Sequence, residues 1–218
     1  MQGFWQRFVS SLTPGVRWVL SIWTVLFLSA YALDFFHIAN VSGWLFMSSP
    51  AVLHGQVWRL ASYALLPVSL LDLLINGFCV VVFGGMLERI WPRRDFFLYC
   101  LIAAVGAGLA NLALRTFSSS PLLGPGPVAL ALMVATGRVL AHEKIMVPPS
   151  FELTLRQAVI LLTAVSFILL LSRAGWVGAV IQVSGGAAGL LYLWLRSRIG
   201  QSRRARSVTS QRINRLEL

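Results

Sequence analysis

Charged residues are scarce in this chain. They make up 11% of its 218 residues, whereas a soluble globular domain carries about 25%. Hydrophobic residues make up 57%, and the mean hydropathy is +0.77. This shortage of charge excludes an ordinary soluble domain and indicates an integral membrane protein with several spans.

Cysteine and histidine are also sparse. Cys79 and Cys100 lie inside apolar runs and form no Cys-x-x-Cys or Cys/His cluster, so we predict neither a disulfide framework nor a metal site. The sequence has no phosphate-binding loop or dinucleotide fingerprint, and we expect no cofactor. The histidines His37, His54 and His142 fall outside the apolar runs. None of them is therefore placed to activate a serine inside a span.

Six apolar segments, each near the roughly 20 residues that a spanning helix needs, follow one another along the chain. They cover residues 18–36, 68–91, 96–114, 122–140, 155–171 and 176–195. They predict an all-α membrane protein built as a six-transmembrane-helix bundle. We divide the chain into an interfacial or solvated N-terminal segment (1–15), a membrane domain (16–196) and a basic tail (197–218) that is disordered or bound to lipid.

The positive charge of the chain has a clear distribution. The formal net charge is +11 at pH 7, a balance often seen in nucleic-acid-binding proteins. Here the basic residues lie between the spans and in the tail, so we expect anionic lipid headgroups, and not nucleic acid, as the partner of the tail. Of the 18 basic residues, all but Arg59, Arg115 and Arg173 fall on one predicted side. The positive-inside rule therefore places both termini in the cytoplasm.

Polar residues inside the second segment are candidate functional groups, because such groups are costly at membrane depth. Asp72 and Asn76 share one face of this helix near its outer end. The carboxylate fits a proton site, a contact for a partner helix, or a plain interfacial group. At the other end, Glu88 fits a local ion pair with Arg89 or a link to the next loop.

The fourth segment begins with Gly124-Pro125-Gly126-Pro127. Two prolines and two glycines predict turned backbone, with the helix starting near Pro127. Gln182 and Ser184 are the polar residues of the sixth segment. A glutamine cannot serve as a general base near neutral pH, and a serine in a membrane helix commonly bonds to its own helix.

Small residues recur at a spacing of four in two segments. Gly106 with Ala110, and Gly185 with Gly189, allow helices to approach closely. They predict packing surfaces and not chemistry.

Three motifs resemble, in register, the first catalytic half of the rhomboid intramembrane serine proteases. They are Trp58-Arg59, the spacing from Asp72 to Asn76, and the run Gly84-Gly85-Met-Leu-Glu88-Arg89. The residues after Gly126 continue the family pattern, and the resemblance covers roughly residues 15–196.

In active rhomboids a serine that begins the fourth span attacks the peptide bond. A histidine on the sixth span activates that serine, and a histidine and an asparagine on the second span hold the oxyanion. The resemblance places Gly126 at the serine position, Gln182 at the histidine position, and Asp72 and Asn76 at the oxyanion positions. It also implies that Gly126 faces Gln182 across a small cavity open toward the outer side, with Asn76 nearby, and that the start of the fourth span packs against the sixth at Gly185 and Gly189. It therefore implies a catalytically dead member of the family, since nucleophile and base are both missing. We expect a pseudoprotease, in the inner membrane of a bacterium, that binds transmembrane segments of clients without cutting them.

Two other classes of function remain open at this stage. The first is an active intramembrane serine endopeptidase with an unusual nucleophile, namely Ser118, Ser119, Ser120 or Ser184. The second is a small-solute transporter. Such a protein would place charges on several spans, whereas here only Asp72 comes close.

Overall fold

Helices account for all six apolar segments in the computed structural model, which describes residues 12–37, 41–114, 122–147 and 151–216. The elements, in chain order, are α1 (Pro14–Phe35), α2 (Val41–Leu45), α3 (Ser49–Leu53), α4 (Arg59–Ser62), a 3-10 turn (Tyr63–Leu65), α5 (Leu70–Cys79), a π-helical turn (Val80–Gly84), α6 (Gly85–Ile90), α7 (Arg93–Ala113), α8 (Gly126–Val139), β1 (Lys144–Val147), β2 (Phe151–Thr154) and α9 (Leu155–Leu216).

The long helix α9 is two helices joined at one residue. Gly175 has a φ of 66° and interrupts the helical backbone, a conformation that glycine adopts without steric cost. We call residues 155–174 α9a and residues 176–216 α9b. The break falls between the fifth and sixth predicted segments.

Four helices in the described part of the chain are long and apolar enough to cross a membrane: Pro14–Phe35, Leu70–Glu88, Arg93–Ala113 and Gly175–Arg198. Two shorter apolar helices, Gly126–Val139 and Leu155–Leu169, occupy the fourth and fifth predicted segments. The helix α8 has 14 residues and rises about 21 Å, which is less than the hydrocarbon thickness of about 30 Å. The helical membrane architecture is therefore confirmed, while the count of six spans stays a prediction.

The helix α8 lies at the centre of the bundle. Nearly all of its residues between Pro127 and Gly137 are buried, and it packs against α5, the π-helical turn, α6, α7 and both limbs of α9. Its apolar residues surround the whole helix and do not form one stripe. This is the pattern of a helix enclosed on all sides, which is how α8, the shortest of the six apolar helices, lies in the bundle.

The expected contact between the fourth and sixth segments is found at one of its two glycines. A β-carbon placed on Gly185 would lie 2.9 Å from Cβ of Pro127, so only a glycine allows this approach. The nearest neighbour of Gly189 is instead the ring of Tyr99 on α7, and that part of the prediction was wrong. The Tyr99 ring passes between the helices, and its hydroxyl donates a hydrogen bond of 2.7 Å to the carbonyl of Ala131.

The connection between α1 and α5 is folded and is held together by a buried arginine. Arg59 is 7% exposed, and its Nη1 donates to the carbonyls of Gly43 (2.8 Å) and Phe46 (2.9 Å). Trp44 and Trp58 remain exposed. An apolar surface around a satisfied polar centre is typical of a loop at the membrane interface.

Two expectations about the opposite end of the molecule need correction. The strands β1 and β2 form an antiparallel hairpin, with Lys144 opposite Thr154 and Val147 opposite Phe151, although an all-α protein was predicted. The β-branched and aromatic residues on both sides of a proline pair favour this hairpin.

The tail was expected to be disordered or bound to lipid. Its backbone is helical as far as Leu216 and therefore not disordered, because residues 199–216 lack proline and are rich in the helix formers arginine and glutamine. Binding of the tail to lipid stays a prediction. The first eleven residues of the predicted N-terminal segment lie outside the described residues, and the boundaries 1–15, 16–196 and 197–218 stay a prediction.

Candidate functional site

The loop that leads into α8 is fixed by its glycine and by its neighbours. Gly124 has a φ of 105°, which residues with a side chain rarely adopt. Its amide donates to the carbonyl of Tyr63 at 3.2 Å, and Met47 and Leu122 exchange a pair of backbone hydrogen bonds just before it. The helix α8 then begins at Gly126, one residue from the predicted start.

Gly126 and Gln182 are in direct contact. A β-carbon placed on Gly126 would lie 2.8 Å from Nε2 and 2.9 Å from Oε1 of Gln182. Both residues are half-buried. The amide group of Gln182 thus fills the space between α8 and α9b, where a small cavity was expected.

Asp72 and Asn76 form a local pair at the start of α5. Nδ2 of Asn76 donates to Oδ1 of Asp72 at 2.6 Å and to the backbone carbonyl of the same residue at 2.9 Å. Oδ2 of Asp72 accepts from the amide of Val68 at 3.0 Å. The hydroxyl of Ser69 in turn accepts from the amide of Asp72. The side chains of Ser69 and Asp72 thus cap the start of α5 together. The structural reading of Asp72 therefore accounts for both of its oxygens.

The same carboxylate also contacts the loop before α8. A β-carbon on Gly124 would lie 3.2 Å from Oδ2 of Asp72. The loop is thus held between Asp72 on one side and Gln182 on the other. Of the four residues assigned to the site from the sequence, Asp72 lies beside Gly124 and Gln182 lies beside Gly126. Asn76 joins them only through its hydrogen bonds to Asp72.

Few hydrogen-bond donors point to a place where negative charge could develop. Pro125 and Pro127 have no N–H, so Gly126 alone among the three offers a backbone amide. Within the described part of the chain, the Asn76 amide nitrogen donates both of its hydrogen bonds to Asp72. Stabilisation of an oxyanion requires preorganised donors that are aimed at it. This arrangement instead presents a carboxylate.

The alternative nucleophiles are either engaged or outside the described residues. Ser184 Oγ donates to the carbonyl of Ile181 at 2.6 Å, as is usual for serine in a membrane helix. Ser118, Ser119 and Ser120 lie outside the described part of the chain.

The three histidines also stand apart from the loop before α8. His37, His54 and His142 are exposed and lie in the connections between the long helices. The ring of His54 contacts the carbonyl of Pro50 through Nδ1, within its own connection.

Sequence reasoning missed the role of Glu88. This carboxylate accepts from the amides of Gly15 (2.7 Å) and Val16 (3.0 Å) and from the hydroxyl of Thr13, so it caps the N-terminus of α1. Arg93 lies 3.7 Å from it, and this contact is the expected link to the next loop. The signal in the sequence was the start of α1 itself, which has no acidic residue in its first turn and therefore needs an acceptor from elsewhere.

Comparison with known proteins gives one result. A search of curated proteins finds no match. The family model described as the Rhomboid domain matches residues 54–199, which is well over half of the chain. The matched range includes Asp72, Asn76, Gly126 and Gln182. This integral membrane protein therefore belongs to the rhomboid family.

Proposed function

We propose that this rhomboid is a pseudoprotease that holds transmembrane segments of other membrane proteins without cleaving them. The observation that carries the proposal is the contact between Gly126 and Gln182. In this assignment, residue 126 stands where the family has its serine and residue 182 where it has its histidine.

Peptide-bond cleavage by this mechanism needs an attacking group and a base within hydrogen-bond reach of it. Gly126 has no side chain, and the neutral amide of Gln182 takes up no proton near pH 7. The amide also fills the space that a nucleophile on residue 126 would need. In this assignment both the nucleophile and the base are replaced. The glutamine at the base position also occupies the space that a nucleophile would need, so the two replacements are consistent with each other.

The oxyanion side of the site is altered in the same direction. A carboxylate at position 72 repels the negative charge that develops on the oxyanion. A preorganised hydrogen-bond donor at that position would instead stabilise the oxyanion, by roughly several kcal/mol. Asn76 donates to the Asp72 carboxylate, so its side-chain amide is engaged there and is not directed at an oxyanion. A substrate bound beside this loop would therefore lack the donors that stabilise the oxyanion.

Binding without cleavage remains open to such a site. Gln182 carries both a donor and an acceptor, and amide side chains of this kind form hydrogen bonds between transmembrane helices. Val68, at the rim of the loop, is 59% exposed. A client helix that enters from this side would reach the loop before α8 and the polar groups around it.

The proposed setting is the inner membrane of a bacterium, with both termini in the cytoplasm. The distribution of basic residues supports this orientation. In this orientation the arginines of the tail face the cytoplasmic leaflet and attract anionic lipid headgroups.

Site-specific cross-linking tests the proposal. A photo-reactive amino acid replaces Val68, beside the loop before α8. In the control it replaces Leu28 on α1, which is also 59% exposed. The full chain is reconstituted with a labelled single-pass membrane protein. We expect several-fold stronger cross-linking at position 68 than at position 28, with the client at its full mass. Equal cross-linking at both positions would remove the client site, and a shortened client would identify a protease.

A further inference from the structure

A groove lies between α8, α9a and α9b, away from the loop before α8. This groove has a volume of about 560 Å³. Its apolar walls are formed by Val134, Val159, Ile160, Phe167, Val183 and Leu190. Two arginines, Arg138 and Arg156, also line the groove. We call the end between the last turn of α8 and the first turn of α9a its mouth.

The two arginines are available to a ligand. Both are exposed, and within the described part of the chain neither forms a hydrogen bond or an ion pair. They come from different elements, Arg138 from the last turn of α8 and Arg156 from the first turn of α9a. A planar guanidinium binds phosphate through two parallel hydrogen bonds, so a pair of them marks the mouth as a site for an anionic group.

The groove changes from charged to apolar along one helix face. Arg156, Ile160, Thr163 and Phe167 recur every three or four residues on α9a and line the same wall. From Arg156 to Phe167 the helix rises about 16 Å. This length is close to one leaflet, since the whole hydrocarbon core is about 30 Å thick.

We propose that the groove binds one anionic phospholipid of the adjacent leaflet. Its phosphate lies between Arg138 and Arg156, and an acyl chain follows the apolar walls between α9a and α9b. A client helix fits less well, because it crosses both leaflets whereas the groove has the depth of one. The site is distinct from the tail, and its existence does not depend on whether the protein cleaves its clients.

Native mass spectrometry of the full chain in detergent tests the headgroup. The protein is titrated with dioleoyl phosphatidylglycerol or with dioleoyl phosphatidylcholine. We expect one phosphatidylglycerol to be retained, and the Arg138→Gln/Arg156→Gln variant to bind it roughly tenfold more weakly, since each arginine near a headgroup contributes several-fold. The control, Arg94→Gln/Arg198→Gln, removes the same charge from exposed positions on α7 and α9b and should change the affinity less than about twofold.

A second pair of variants tests the apolar walls. Ala164 lines the groove, and Ala164→Phe fills it while both arginines remain. We expect weaker retention of phosphatidylglycerol, and no change for Ala32→Phe on the exposed face of α1.

Three results would overturn the proposal. Equal losses in the two arginine variants would show attraction to overall charge and not to this groove. Unchanged retention in Ala164→Phe would exclude the walls as the binding site. Displacement of the lipid by an equimolar transmembrane peptide would assign the groove to a client helix.

Discussion

The amide of Gln182 lies 2.8 Å from the position that a β-carbon on Gly126 would take. The two residues thus fit each other: the absence of a side chain on α8 makes room for the glutamine on α9b. A change at one of them is therefore felt at the other, and this coupling can be measured.

We expect Gly126→Ala to destabilise the protein by about 1 kcal/mol, because the new methyl group displaces the end of the Gln182 side chain. Gly186→Ala is the matched control on α9b. Its β-carbon would lie 3.7 Å from the nearest atom, Cγ2 of Val134, and removal of a helical glycine gains up to about 1 kcal/mol. The free energy of unfolding in detergent measures both.

The Gln182→Ala background gives the coupling itself. With the amide removed, Gly126→Ala should lose its cost, which gives an interaction energy of about 1 kcal/mol in a double-mutant cycle. Additive effects of the two substitutions would show that Gly126 and Gln182 do not share this space.

Glu88→Ala should cost about 2–3 kcal/mol in the free energy of unfolding. The side chain of Glu88 is 5% exposed, and its loss leaves the amides of Gly15 and Val16 without their acceptor. Glu88→Gln keeps one acceptor oxygen and should cost less. Glu143→Ala, at an exposed position, is the control, and an equal effect there would contradict the capping role.

Arg59→Lys should loosen the connection between α1 and α5 although the charge is kept. The guanidinium of Arg59 serves Gln56, Gly43 and Phe46 at once, and an ammonium group does not reproduce this planar fork. Limited proteolysis of reconstituted protein from the outer side should cut this connection several-fold faster. Arg94→Lys is the exposed control, and equal rates in the two variants would argue against the anchor.

Restoring the missing pair should not restore activity. In Gly126→Ser/Gln182→His the nucleophile and the base are present, but Pro125 and Pro127 still lack amide donors and Asp72 keeps its negative charge beside the loop. We expect cleavage of a model transmembrane substrate to stay within a fewfold of the buffer control. Efficient cleavage by this variant would show that the rest of the site is competent.

The sequence was sufficient where the constraint is local. Two prolines and a glycine predicted the junction before α8 to within one residue, because these residue types restrict the backbone directly. The small residues on α9b predicted a close helix contact, while the assignment of that contact to the start of α8 came from the resemblance to a known family. The convergence of Asp72 and Gln182 on one loop came from the resemblance to a known family and not from local pattern.

The sequence was insufficient to predict contacts made by a long side chain from another helix or between residues far apart in the chain. Tyr99 reaches across from α7 and takes the place beside Gly189 that we had assigned to α8. Glu88 finds its donors more than 70 positions away, at the start of α1. Nothing near either residue in the chain indicates its partner, since such contacts arise only when the helices pack.

The central claim is the absence of proteolysis, and a cleavage assay tests it most directly. The purified full chain is reconstituted in liposomes with a labelled transmembrane substrate, and the substrate is followed by mass over a long incubation. We predict intact substrate and no labelling of the protein by a serine-directed fluorophosphonate. Cleavage that is abolished by an alanine in place of Ser118, Ser119, Ser120 or Ser184 would contradict the account and identify an active protease.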